Sequence, residues 1–214
     1  MTTTIVPARG FVRARLTAGA LAAPLFLIVS ALQMPVNPGF DLTKHAFSYL
    51  SIGATGPIQQ ANFVLMGLAH IVAATGLVRV LAGRAGYVAA ALLAADGLGQ
   101  VIAGLFTLDP SNGFPEGAPP GMPETVTTHG NLHGLGFGIS IVSWVALLMV
   151  LARWLARDGQ RARSRGCVAA VAALLVTAAC LMTPFGTVLL YVVLTSTWIF
   201  TALLLRHLRD TQLI

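Results

Sequence analysis

The clearest chemical pattern in this sequence is a pair of histidines, His129 and His133, that are four residues apart. Residues at that spacing lie on one face of a helix, so both imidazoles can converge on one metal ion. With His45 as a third ligand, the set would favour Zn²⁺. The pair lacks the glutamate of His-Glu-x-x-His, so the motif contains no general base of its own.

Acidic and hydroxyl residues in the same parts of the chain could complete a catalytic site. Asp41 precedes His45 by four residues, and Asp109 follows a long apolar segment. Either carboxylate could act as the general base toward a metal-bound water, while Ser48 could bind the substrate or stabilise an oxyanion. Two alternatives stay open. The group could form an acid–base or binding site without a metal, or its members could cap helix ends.

A second group of polar residues lies inside apolar segments. Asp96 and Gln100 are four residues apart and would share one face of a helix. His70 and Gln100 each lie about 12 Å from the end of their segment. An ionisable side chain at that depth is costly unless it is paired or hydrated. With Asn62, these residues are predicted to bind a substrate; a hydrogen-bonded His–Asp or His–Gln pair that orients the helices is the alternative.

Composition indicates the elements that position these side chains. The chain has 214 residues, of which 56% are hydrophobic and 9% charged, and its mean hydropathy is +0.81. A soluble domain has about 25% charged residues, so both a soluble enzyme and a disordered chain are excluded. The prediction is an all-α membrane protein, with one domain of six transmembrane helices over residues 1–214.

Six apolar segments are long enough to cross a bilayer. They span about residues 16–34, 62–82, 86–108, 131–153, 167–182 and 186–205.

The positions of the basic residues predict the orientation. With six spans, all twelve arginines fall on one side of the membrane, whereas Lys44 lies on the other. By the positive-inside rule, that side and both termini are cytoplasmic. The net charge of +6 is therefore attributed to topology in the plasma membrane and not to binding of nucleic acid.

The outer loops are long, at about Pro35–Ala61 and Asp109–Gly130, and the second is too rich in proline and glycine to form a regular helix. The stretch Asp41–Ser51 is predicted to form a short helix at the membrane interface. The fifth and sixth spans are joined near Thr183–Gly186 and should form a tight hairpin. The glycines of the third and fourth spans are predicted to allow close helix packing.

Four motifs in order resemble domain-of-unknown-function family 998 (DUF998), a group of bacterial and archaeal multi-pass membrane proteins. The resemblance extends from about Leu16 to Leu205, with Pro57 where an aromatic residue would be expected. It implies a six-helix membrane domain and no particular activity. The motifs are Asp41-Leu-Thr-Lys-His45-Ala-Phe-Ser48-Tyr-Leu50-Ser51, Gly56-Pro-Ile-Gln59-Gln-Ala-Asn62-Phe63, Gly104-Leu-Phe106-Thr-Leu-Asp109-Pro110 and His129-Gly-Asn-Leu-His133.

A Ser, an Asp and a His-x-x-x-His pair also resemble the residues of alkaline ceramidases and adiponectin-type receptors, which are intramembrane zinc amidases. Those proteins have seven helices and their histidine pair lies near the chain end, so the likeness is one of chemistry only.

Three functions follow as hypotheses. The first is a metal-dependent membrane hydrolase that acts on a lipid or another amphiphile. The second is a small transporter or proton-coupled carrier that uses His70 and Asp96 and works as a homodimer. The third is a non-catalytic membrane protein whose basic face contacts anionic lipid headgroups or a protein partner.

Overall fold

The structure is a computed structural model that describes residues 9–81 and 83–211. Its described part is all-α, and all six long helices are apolar enough to cross a membrane. The helices are α1 (Arg9–Gln33), α2 (Gly56–Val80), α3 (Arg84–Leu105), α4 (Thr128–Arg157), α5 (Arg161–Cys180) and α6 (Gly186–Thr211). This architecture is that of a multi-pass membrane protein.

The helices form a ring in chain order, because each helix packs against the next and α1 also packs against α6. The start of α1 meets the end of α6, where Arg13 lies 3.7 Å from Asp210. All twelve arginines lie at this end, which we call the arginine end. The opposite end, which we call the cap end, is covered by residues 37–55 and 109–126.

Glycines bring α2, α3 and α4 into close contact. A Cβ on Gly99 of α3 would lie 2.5 Å from the carbonyl oxygen of Gly136 in α4, and a Cβ on Gly136 would lie 2.7 Å from that of Gly99. Gly67 of α2 and Gly97 of α3 have the same reciprocal contact. The prediction of close glycine packing is therefore confirmed for Gly97, Gly99, Gly104 and Gly136, and α3 is held between its two neighbours, whereas a Cβ at Gly134 or Gly138 would meet no atom within 4 Å.

We expect Gly99→Leu to destabilise the bundle by about 1–3 kcal/mol, because the new side chain would overlap backbone atoms of α4. The melting temperature in detergent measures the effect. Gly138→Leu is the matched control, since a Cβ at Gly138 meets no atom within 4 Å. Equal losses in both variants would show that helix packing is not the cause.

Several helices are longer than the predicted spans. α1 is already helical at Arg9, the first described residue, and so extends beyond the predicted start near Leu16, because arginine is a good helix former whose long side chain reaches beyond the apolar layer. α4, α5 and α6 extend at their arginine ends for the same reason. α2 begins at Gly56 and not near Asn62, because Pro57 occupies its first turn, where a missing N–H costs nothing.

The predicted helix over Asp41–Ser51 is wrong in extent. Its first residues form a turn, and only Phe47–Ile52 form a 3₁₀ helix. Phe47, Tyr49 and Leu50 are buried against the bundle and do not face outward. The short turn between α5 and α6 is as predicted, although the contact between these two helices is the smallest in the ring.

Candidate functional site

The two long loops at the cap end are joined by hydrogen bonds. Nδ1 of His45 accepts a hydrogen bond from the backbone N–H of Asp41. The other ring nitrogen, Nε2, therefore bears the hydrogen and donates it to the carbonyl of Asn112 at 3.0 Å. The amide of Asn112 donates to the hydroxyl of Tyr49, which in turn donates to Ser111. Phe114 is only 1% exposed beneath these contacts. The loops therefore form one folded cap.

His45 thus has both ring nitrogens engaged with backbone atoms and serves to join the cap loops. We expect His45→Phe to loosen residues 109–126, because two backbone groups lose their partners. Hydrogen exchange of this loop should increase severalfold. His129→Ala is the control, because His129 is exposed and makes only an edge-to-face contact with Phe106. Unchanged exchange in His45→Phe would contradict this structural role.

The two carboxylates proposed as general bases are also engaged at the cap end. Asp109 accepts from the hydroxyl and the backbone N–H of Thr127, whose own oxygen caps α4. Asp41 accepts from the side chain and the backbone of Thr43, and these bonds lower the pKa of the Asp41 carboxyl from its usual value. Both residues organise loops, which is the capping alternative left open above.

Asn62 belongs to a buried polar cluster between α1 and α2. Its amide donates to the carbonyl of Phe26 and to Gln59. The Oε1 atom of Gln59 also accepts from Ser30 and Gln33. These side chains satisfy one another inside the bundle, so Asn62 orients helices and does not face a ligand cavity.

A cavity of about 270 Å³ lies between α3, α4 and α6, directly beneath the cap. Phe137, 44% exposed, is at its edge, so the cavity opens sideways, where lipid would be. Below it, the indole of Trp144 in α4 donates to Thr201 of α6 at 3.1 Å. Most of the lining is apolar, and its polar side chains are Ser48, Gln100, His133, Ser140, Tyr191 and Trp198.

His133 presents one ring nitrogen to this cavity. Its Nδ1 lies 3.0 Å from the carbonyl oxygen of Ala103 and 2.9 Å from that of Phe106. Carbonyl oxygens only accept, so Nδ1 bears the hydrogen and Nε2 of the neutral ring is an acceptor. Nε2 has no hydrogen-bond partner among the described residues. Every side-chain nitrogen or oxygen of those residues that is fully buried does have a partner, so Nε2 is not fully buried. It is therefore accessible from the cavity.

A chain of hydrogen bonds leads from the cavity wall into the bundle. Gln100 of α3 donates through Nε2 to Ser140 of α4 at 2.9 Å. Ser140 donates to one oxygen of Asp96, and the other oxygen lies 2.6 Å from Nδ1 of His70. Asp96 and His70 are 2% and 5% exposed. The predicted proximity of His70 and Asp96 is confirmed, and Ser140 is the link that spacing did not reveal.

The three histidines predicted to bind a metal are not brought together. His45 is committed to the cap, His129 is exposed, and His133 faces the cavity. Over residues 9–81 and 83–211, no group of three or more His, Cys, Asp or Glu side chains could hold a metal ion. Of the predicted site residues, the cavity contains Ser48, Gln100 and His133, with Asp96 and His70 behind its wall.

One known protein family matches most of this chain. A family model described as "Protein of unknown function (DUF998)" matches residues 20–207. Searches of curated proteins and of solved structures returned no match. The matched region includes the whole cavity, the cap and the buried His70–Asp96 pair. The chain therefore belongs to the DUF998 family.

Proposed function

We propose that the protein binds a single-chain amphiphile from the membrane in the cavity between α4 and α6 and couples binding to a proton on the His70–Asp96 pair. This is the action of a proton-coupled carrier. The observation that supports it best is the hydrogen-bond chain from Gln100 through Ser140 to Asp96. This chain connects the ligand cavity directly to a buried titratable pair.

The form of the cavity favours an amphiphile over a water-soluble ligand. Ligand sites are concave and mostly apolar, with a few polar groups that orient the ligand. Here the apolar wall includes Leu190 and Leu194 of α6, and the cap closes the direct route to water. An alkyl chain could enter sideways past Phe137 and place its head near Gln100.

The number of protons on the His70–Asp96 pair could change from one to two. One proton lies between Nδ1 and the carboxylate, and a second could bind at Nε2, which has no partner among the described residues. In the same part of the bundle, the other titratable groups are His133 of α4 and Tyr191 of α6, both at the cavity. A ligand that bonds to Gln100 changes the donors available to Ser140 and Asp96, and so changes the pair's affinity for a proton.

The hydrolase hypothesis has less support, because the carboxylates proposed as bases are held in the cap and not at the cavity. The basic arginine end fits a cytoplasmic face, so we also propose that both termini are cytoplasmic. An alkaline phosphatase fusion to the C-terminus should be inactive. An active fusion would reverse this orientation.

The binding proposal can be tested with dodecanol that has a photoreactive diazirine in its alkyl chain. The protein is labelled in nanodiscs, and the modified residues are located by peptide mass spectrometry. We expect labels on α4 and α6 around the cavity. Gly134→Leu should reduce them by about tenfold or more, because Gly134 lines the cavity and its Cβ would meet no protein atom within 4 Å.

The control is Gly138→Leu, which adds the same side chain at an open position of α4 outside the cavity. It should leave labelling unchanged. Equal labelling of the cavity residues in wild type and Gly134→Leu would show that the cavity does not hold the probe, and the proposal would fail.

A further inference from the structure

We infer that the cavity selects amphiphiles whose head is an uncharged hydroxyl, such as long-chain alcohols or monoacylglycerols, over fatty acids and alkyl amines. This inference rests on the proposed binding of an amphiphile and names the chemical class of its head. It follows from the hydrogen-bond donors and acceptors of the cavity wall that have no partner among the described residues.

The size of the cavity restricts the ligand first. Sites for drug-sized molecules usually occupy about 300–1,000 Å³, so a volume of about 270 Å³ suits one alkyl chain. This volume is too small to enclose both chains of a phospholipid.

Two acceptor atoms face the cavity without partners among the described residues. Nε2 of His133 is one, because Nδ1 bears the hydrogen. The other is Oε1 of Gln100. Ser140 gives its only hydrogen to Asp96, so the Gln100 amide must turn its N–H toward Ser140 and leave Oε1 free.

The cavity also offers unpaired hydrogen-bond donors. The indole N–H of Trp198 and the hydroxyl of Ser48 have no partner within the described part of the chain. The hydroxyl of Tyr191 already donates to the carbonyl of His45. A ligand head must therefore both donate and accept, which a hydroxyl does.

A charged head would meet no opposite charge. No arginine or lysine lines the cavity. The arginines are at the other end of the bundle, and Lys44 pairs with Asp41 in the cap at 3.5 Å. A carboxylate would bring its oxygens against the acceptors of His133 and Gln100, and burying an unpaired charge is costly. An ammonium would lack a carboxylate in the wall, because Asp96 lies behind Ser140.

The test is competition against the photoreactive dodecanol in nanodiscs, with dodecanol, dodecanoate and dodecylammonium at equal mole fractions in the lipid. We expect dodecanol to displace the label at about tenfold or more lower mole fraction than either charged compound. If all three displace the label equally, or if a charged compound is stronger, the inference is overturned while binding in the cavity stands. If none displaces it, the proposed function also fails.

A change of charge at the cavity gives a second, positive test. Ser48 lines the cavity and is half-buried in the cap, so Ser48→Lys can place an ammonium near the ligand head. We expect dodecanoate to become at least about tenfold more effective as a competitor. Ser48→Ala should not have this effect. A Ser48→Lys variant that labels normally but still discriminates against dodecanoate would overturn the inference.

Discussion

Asp96→Leu should destabilise the bundle by about 3–5 kcal/mol, because a buried pair that loses one partner leaves the other without compensation. His70 and Ser140 both depend on the Asp96 carboxylate as a hydrogen-bond acceptor. Both side chains are almost fully buried, because His70 is 5% exposed and Ser140 is buried to the same extent. Unfolding in mixed detergent micelles measures the loss.

The double variant His70→Phe with Asp96→Leu is the matched control. Replacing both members of a buried pair by apolar side chains is often nearly neutral. We therefore expect the double variant to be more stable than Asp96→Leu alone, with an interaction energy of about 1–3 kcal/mol. If the losses of stability in His70→Phe and in Asp96→Leu add up to the loss in the double variant, the two side chains do not stabilise each other.

Asp96→Asn separates stability from proton coupling. The amide retains the size of the carboxylate but cannot itself take up a proton, so only His70 of the pair can still bind one. In wild type, photolabelling by the dodecanol probe should depend on pH, because binding of the ligand would change the affinity of the pair for a proton. In Asp96→Asn this dependence should be reduced or lost. An identical pH profile would place the proton elsewhere.

Gln59→Leu should be the second most damaging of these substitutions, with a loss of at least about 2 kcal/mol. Its Oε1 accepts from Ser30, Gln33 and Asn62, and the side chain is fully buried. Hydrogen bonds between membrane helices contribute about 0.6 kcal/mol each, and donors left unsatisfied in the interior cost about 1–3 kcal/mol. Thermal denaturation in detergent measures the loss.

Gln60→Leu controls for the loss of a glutamine in the same turn of α2. Gln60 is half-buried and makes one hydrogen bond, to the carbonyl of Ser51. We expect less than half of the effect of Gln59→Leu. Similar effects in the two variants would show that the first turn of α2, and not the cluster around Gln59, determines stability.

The different surroundings of His129 and His133 show why their spacing in the sequence was not enough to predict a metal site. Residues four apart on a helix differ by about 40° in direction and by one turn in height. His133 lies one turn inside the bundle and donates to the backbone carbonyls of Ala103 in α3 and of Phe106 just after it, whereas His129 lies in the first turn of α4 and is exposed. The same motif therefore places its two rings in different surroundings, which the sequence does not reveal.

His70 and Asp96 were predictable because the bilayer restricts their options. Two ionisable residues at similar depth in consecutive antiparallel spans have few partners other than each other. Ser140 and Gln59 gave no such signal, since serine and glutamine within a helix have several ways to satisfy their hydrogen bonds. Their roles depend on the rotation of α4 and α2 about their own axes.

The sequence by itself determined that this protein has six apolar helices, belongs to the DUF998 family and gathers its arginines at one end. Each of these properties depends on local hydropathy, on charge or on the order of motifs along the chain. Only the tertiary structure decided which polar side chains share a hydrogen bond and which face the cavity. Those relations join residues of different helices, so they depend on helix rotation and on close packing at glycines such as Gly99 and Gly136.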